Sequence, residues 1–249
     1  MSNGLSGRTA LVTGATAGIG YAVALQLAAQ GAEVVVHGRD AERGAKTVQD
    51  IENAGGRARF VAADLSDADD VRRLADEAGE VDILINNAGI YPVAPTFDTT
   101  DADFDAQINV NLRAPYVLVQ KLVPGMLARG EGAVVNLSTV AASTPADGAG
   151  IYGASKAGLD LLTKSWADEF GARGVRFNAV SPGPTKTAGT ADFGPDGIEA
   201  MGRTTALGRA ADPDEIASAI TFLASPAASY INGAILDVDG GRPAIRPVA

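Results

Sequence analysis

Seven short apolar runs recur along the chain: TALVT from Thr9, EVVVH from Glu33, ARFVA from Ala58, DILIN from Asp82, AVVNLS from Ala133, VRFNAV from Val175 and AILDVD from Ala234. They are rich in β-branched residues and lack the apolar/polar alternation of a strand with one wet face. Each is therefore read as a strand covered on both sides. Segments of roughly helical length separate them, and this alternation implies right-handed crossovers and a parallel sheet with helices on both faces, an α/β architecture. No repeat, low-complexity tract or linker interrupts the 249 residues, which read as one domain, 1–249. The least regular stretch is SPGPTKTAGTADFGPDG, 181–197, a long loop with apolar Phe193 and Ile198 beside it. Such a loop reads as a lid over a site, here placed at about residues 186–206.

The first strand runs into LVTGATAGIGYAVALQLAAQG, residues 11–31, in which Gly14, Gly18 and Gly20 fall between an apolar run and a helical pattern. Strand, Gly-rich turn, helix is the order that puts backbone N–H groups and a helix N-terminus where a phosphate can sit. The same glycines would serve a simple chain reversal equally well. Their spacing is Gly-x3-Gly-x-Gly, not the Gly-x-Gly-x2-Gly of the general dinucleotide fingerprint.

Composition narrows the chemistry. Cysteine is absent, which removes disulfides, thiolate nucleophiles and cysteine metal sites. Histidine occurs once, at His37, so no histidine-rich metal site is expected. A Ser-His-Asp hydrolase would need His37, which precedes every candidate serine and fails on chain order. The net charge of −10 argues against nucleic acid or an anionic membrane as partner. No apolar run approaches the roughly 20 residues of a membrane helix. Met1–Arg8 lacks the plan of a secretory signal, so the cytoplasm is the expected compartment.

Tyr152 and Lys156 lie four apart in the helical pattern YGASKAGLDLLTKSW and share one face. A free phenol, with a pKa of about 10, is only about one part in a thousand ionised near pH 7, too little for an efficient base. A nearby ammonium such as that of Lys156 favours phenolate, and a drop of about 3 takes roughly 4 kcal/mol of differential stabilisation. A phenol so shifted could exchange a proton with a substrate oxygen. Standing alone, a Tyr-x3-Lys pair is usually solvated helix surface.

Taken in order, these motifs resemble the short-chain dehydrogenase/reductase family over almost the whole chain. Thr13-Gly14-Ala15-Thr16-Ala17-Gly18-Ile19-Gly20 is similar to its Gly-rich turn. AADLSD matches its adenine-site Asp at Asp64, with Leu65 next; NNAG supplies Asn87, Ala88 and Gly89; NVNL supplies Asn111; YGASK supplies Tyr152 and Lys156; NAVSPGPTKT supplies Pro182, Gly183, Thr185 and Thr187. The resemblance implies a Rossmann-like, doubly wound sheet of about seven strands in the order 3-2-1-4-5-6-7. It further implies a nicotinamide dinucleotide held by the residues just named, with Asn111, Tyr152 and Lys156 as a proton relay. The family's second hydroxyl most often precedes the tyrosine by 13 residues, which reaches Thr139; a one-residue bulge would present Ser138 instead, and both stay candidates.

The second strand ends His37-Gly38-Arg39-Asp40. Where an acid would accept from a ribose 2′-hydroxyl stands Gly38, and Arg39 follows with a fork suited to phosphate, so NADP(H) is favoured over NAD(H). Asp40 is the objection, because it could pair with Arg39. The function implied is interconversion of a secondary alcohol and a ketone, a small-molecule substrate. The alternatives are a 3-oxoacyl-(acyl-carrier-protein) reductase, with Arg129 and Arg173 meeting an acidic carrier, and a non-catalytic nucleotide-binding sensor or scaffold. GRAADPDEIASAITFLAS and INGAILDVDGG resemble the segment through which the family associates, implying a homotetramer, or failing that a dimer.

Overall fold

The computed structural model describes residues 4–241, and of residues 191–193 and 195 the backbone alone. All seven apolar runs form strands: β1 (Thr9–Val12), β2 (Glu33–Gly38), β3 (Arg57–Ala62), β4 (Ile83–Asn86), β5 (Gly132–Leu137), β6 (Val175–Pro182) and β7 (Ile235–Val238). They make one parallel sheet in the order β3-β2-β1-β4-β5-β6-β7. Between them run α1 (Gly18–Ala29), α2 (Ala41–Asn53), α3 (Ala68–Ala78), α4 (Asp101–Ile108), α5 (Ala114–Arg129), α6 (Gly150–Gly171), α7 (Gly194–Gly202) and α8 (Pro213–Ala224).

The absence of polar alternation in the strands has its counterpart in two cores, one on each face. Leu11 and Val35 point to the side of α3, α5 and α6, with Leu74, Leu118, Trp166 and Phe177. Their neighbours Ala10, Val12, Val34 and Val36 point the other way, to α1, α2 and α8, with Leu27, Ile51 and Ile216. Successive residues of a strand face opposite sides, so both sets must be apolar when helices cover both faces.

Two local features differ from a plain strand-helix alternation. Residues 181–197 are not one long loop: β6 extends to Pro182, a 3-10 turn spans Ala188–Phe193, and α7 follows. Gly194, Pro195, Gly197 and Gly202 have poor helix propensity, which hid α7 in the sequence; Pro195 falls in its first turn, where a missing N–H costs nothing. The side chain of Phe193, on which the lid reading partly rested, lies outside the described residues. Between α4 and α5 the helix continues through a π turn, Asn109–Arg113. Such a bulge marks a position where helix geometry has been adjusted to aim a side chain.

β1 has β2 on one side and β4 on the other, so strand order reverses at β1. That switch point, at the strands' C-terminal ends, is where this architecture leaves a crevice.

Candidate active site

The crevice encloses about 1010 Å³. Thr13, at the end of β1, ties its floor together: Oγ1 donates to the Ile85 carbonyl (3.2 Å) and accepts from the backbone N–H of Asn87 and Ala88 (3.0 Å each). Asn87 Nδ2 returns to the carbonyls of Thr13 (2.8 Å) and Gly14 (3.2 Å). Gly14 and Gly18 have φ of +64° and +54°, the left-handed region that a side chain makes costly. Gly20 sits beneath the turn, where a Cβ would overlap the Gly14 carbonyl oxygen and the Asn87 amide. Ile19 packs into the core and Thr187 lies over Gly18, so these residues support the crevice from below and from one side.

Thr16, Ala17, Gly38, Arg39, Asp64, Leu65, Asn87, Ala88 and Gly89 line the crevice directly. At Gly38 a Cβ would lie 2.6 Å from Thr16 Cγ2, so a larger residue would have to displace the Thr16 side chain. Asp40 is engaged elsewhere: its Oδ1 accepts from the backbone N–H of Glu42 (2.9 Å) and Arg43 (3.1 Å), capping α2. Its pairing with Arg39 is not seen. Arg43, which the sequence did not single out, also lines the crevice and reaches the Thr16 carbonyl (3.4 Å). Asp64 accepts from Ser66 N–H (2.9 Å) and Oγ (2.8 Å). Pro182 and Gly183 are packed against β7, Thr185 Oγ1 donates to the Gly183 carbonyl (3.0 Å), and Thr187 N–H donates to Thr190 Oγ1 (2.9 Å).

His37 is buried behind the turn. Its Nδ1 accepts from Gly14 N–H (3.2 Å), which leaves the proton on Nε2, 3.1 Å from the Ala63 carbonyl. Burial lowers its pKa to about 4, so the ring is neutral. One side chain thereby fixes the exits of β1, β2 and β3 relative to one another.

α6 carries Tyr152 and Lys156 to the other end. Lys156 is buried, its Nζ donates to the Leu137 carbonyl (2.7 Å), and desolvation brings its pKa down to about 8 against the opposing charge of Asp160. The Tyr152 phenol is pushed up by burial; a hydrogen bond with the Thr139 side chain works the other way, and Tyr91 adds to the rise. Lys156 points its proton at a carbonyl, and desolvation dominates at Tyr152.

Asn111 is fully buried at the π turn. Its Oδ1 accepts from Ile90 N–H (2.9 Å), and its Nδ2 donates to the Ile90 carbonyl (2.8 Å) and Ser155 Oγ (3.2 Å). A Cβ on Gly89 would stand 3.3 Å from both Asn111 Oδ1 and Lys156 Nζ, so the glycine leaves these two groups facing a common space. Of the two hydroxyl candidates, Thr139 meets Tyr152, whereas Ser138 Oγ is buried on the Asp160 side. Adjacent residues at a strand end point oppositely, so only one can serve Tyr152. Asn86 is tied within the sheet to Asn136 (2.8 Å).

A family model described as enoyl-(acyl carrier protein) reductase matches residues 14–242, nearly the whole chain. The chain belongs to the short-chain dehydrogenase/reductase family. This short-chain dehydrogenase/reductase is an oxidoreductase of CH–OH groups. It is 36% identical over 241 residues to the 3-oxoacyl-(acyl-carrier-protein) reductase of Thermotoga maritima, covering 95% of this chain and 98% of that one. It is 40% identical over 250 residues to the cis-4-hydroxycyclohexanecarboxylate dehydrogenase of Sinomonas cyclohexanicum, covering 98% and 100%. A solved short-chain dehydrogenase/reductase, a 3-oxoacyl-(acyl-carrier-protein) reductase from Agrobacterium tumefaciens C58 with NADP bound, has a TM-score of 0.92 at 36% identity, covering 96% of each chain. Among the described residues no helix is long and apolar enough to cross a membrane.

Proposed function

We propose that the protein interconverts a secondary alcohol and a ketone with NADP(H) in preference to NAD(H), as a cytoplasmic homotetramer of single-domain chains in which residues 186–206 act as the lid. The observation that carries the reading is that Asn111 and Lys156 converge on Gly89, which lines a crevice also lined by Gly38, Arg39 and Arg43, while Tyr152, one helical turn from Lys156, meets Thr139. The residues fit a dinucleotide: Gly14, Gly38 and Gly89 line the crevice without side chains of their own, Gly89 leaves Asn111 Oδ1 and Lys156 Nζ facing it, and the guanidinium groups of Arg39 and Arg43 line it as well.

A bound nicotinamide supplies or accepts the hydride. For ketone reduction, Tyr152, kept protonated by partial desolvation, gives its phenolic proton to the carbonyl oxygen as hydride reaches the carbonyl carbon. The Thr139 hydroxyl holds that oxygen in line. The phenolate left behind is stabilised by the Lys156 ammonium one helical turn away, then takes up a proton from solvent. With a pKa of about 8, Lys156 carries its charge at neutral pH. Asn111 holds the 90–91 backbone in place.

NADP(H) preference rests on Gly38 standing where an acid would repel a 2′-phosphate, and on two guanidinium groups lining the crevice, Arg39 and Arg43, rather than one. Titration of protein fluorescence with NADPH and NADH is expected to show NADPH binding at least about tenfold tighter, with Arg39→Ala and Arg43→Ala each removing most of that advantage. Tighter binding of NADH would overturn the preference. The carrier-protein reading gains nothing from Arg129 and Arg173, which lie at the N-terminal ends of β5 and β6, away from the crevice; Arg129 is bonded to the Val81 carbonyl (2.7 Å). Turnover of a ketone panel with NADPH tests the reading as a whole, and nucleotide binding without any turnover would favour a sensor.

A further inference from the structure

Tyr91 has no part in the relay, yet it touches it. The ring lies 5.7 Å from that of Tyr152, tilted by 57°. Its backbone is held on both sides: Asn111 brackets Ile90 with two hydrogen bonds, and Ala94 N–H donates to the Gly148 carbonyl (3.0 Å) in the loop before α6. The hydroxyl reaches the turn that precedes α7. A Cβ built on Gly189 would overlap Tyr91 Oη, while standing 3.4 Å from Tyr91 Cζ, an ordinary contact. The 188–193 turn therefore comes down on the tip of Tyr91, and it does so at a glycine.

We propose that Tyr91 sets the size of the substituent that the site accepts on the carbonyl carbon, its ring forming the wall beside Tyr152 and its hydroxyl the stop on which the lid turn rests. This inference rests on the oxidoreductase reading above. A carbonyl oxygen within reach of Tyr152 Oη places one carbon substituent alongside the Tyr91 ring, so a small alkyl group fits and a phenyl group does not. The chemical class is a ketone, or the alcohol it forms, with one compact and one extended arm.

Two β-keto esters that differ only at that substituent, ethyl acetoacetate and ethyl benzoylacetate, measure the wall. Wild type is expected to favour the methyl ketone, and Tyr91→Ala to move the ratio of kcat/KM toward the phenyl ketone by at least about tenfold, mainly through KM. An unchanged ratio would overturn the wall. The stop is read without substrate, from tryptic cleavage at Lys186 and Arg203 on either side of the lid. Gly189→Ala is expected to speed cleavage about tenfold, and the same change in a Tyr91→Phe background to return it to the wild-type rate, because the clash is with the hydroxyl alone. Equal cleavage in both backgrounds would overturn the stop. The cleavage outcome is independent of turnover and the kcat/KM ratio is independent of which residue supplies the proton; failure of the relay would show instead as turnover surviving Tyr152→Phe.

Discussion

Replacing Tyr152 with phenylalanine is expected to reduce kcat by about a thousandfold while leaving coenzyme affinity within about twofold, because a positioned proton donor contributes roughly two to four orders of magnitude and the ring itself is retained. The fold should not suffer: the ring is kept, its partner Thr139 still accepts from Ala141 N–H (3.2 Å), and the Tyr91 ring still has an aromatic neighbour. The pH dependence separates Tyr152 from its helper. Lys156, brought down to about 8, loses its charge as pH rises through that value, so ketone reduction should fall along an alkaline limb near pH 8. Lys156→Met should lose the limb together with most of the rate, since burial of an uncharged chain leaves nothing to stabilise the phenolate. Steady-state rates from pH 6 to 10 test this. Full turnover in the Tyr152→Phe protein, or a limb that survives Lys156→Met, would remove the relay.

The inner strands were legible because the sheet is buried on both faces, which makes them continuous apolar runs, whereas the edge strands β3 and β7 carry Arg59 and Asp237 and are only partly buried. Helix α7 was not, because its Gly and Pro residues contradict helix propensity and only its place between β6 and α8 permits it. The Gly-rich turn and the Tyr-x3-Lys pair were legible as local spacings. What spacing could not supply was direction. Thr139 and Ser138 are neighbours, and which one meets Tyr152 depends on how β5 delivers them at its end. Asp40 could have neutralised Arg39 on paper, but a carboxylate at a helix N-cap finds the α2 backbone first. Thr13, Arg43, Tyr91 and His37 act through partners distant in the chain, and no local pattern marks such contacts. His37 gave only a negative inference in the sequence, that it could not serve a hydrolase.

In the fold His37 carries a second large expected effect, an acid-sensitive stability set by one neutral ring. Its unfolded pKa is about 6.5 and its folded pKa about 4, so protons bind the unfolded chain more readily. The stabilisation is complete above pH 6.5, declines as pH falls, and is gone below about 4; the interval corresponds to about 3 kcal/mol. The cause is structural: protonation turns Nδ1 from the acceptor of Gly14 N–H into a second donor facing it. Asp64 and Asp70, which favour the charged ring, and Arg39, which opposes it, are too weak to offset burial. Carboxylates held below their usual range by bonded partners, such as Asp64, Asp70 and Glu215, also lose stabilisation in acid, so wild type alone does not isolate the ring. His37→Leu does. It should cost about 2 kcal/mol at pH 8, where Gly14 N–H and the Ala63 carbonyl lose their partner, and it should lower coenzyme affinity because the turn loses its brace. Between pH 6.5 and 4.5 its stability should fall less steeply than that of wild type, by close to one proton's worth of slope. Urea unfolding followed by fluorescence of Trp166, buried between Tyr116 and Phe177, measures both proteins at each pH. Parallel curves would mean that the ring is not the titrating group and that the brace behind the Gly-rich turn lies elsewhere.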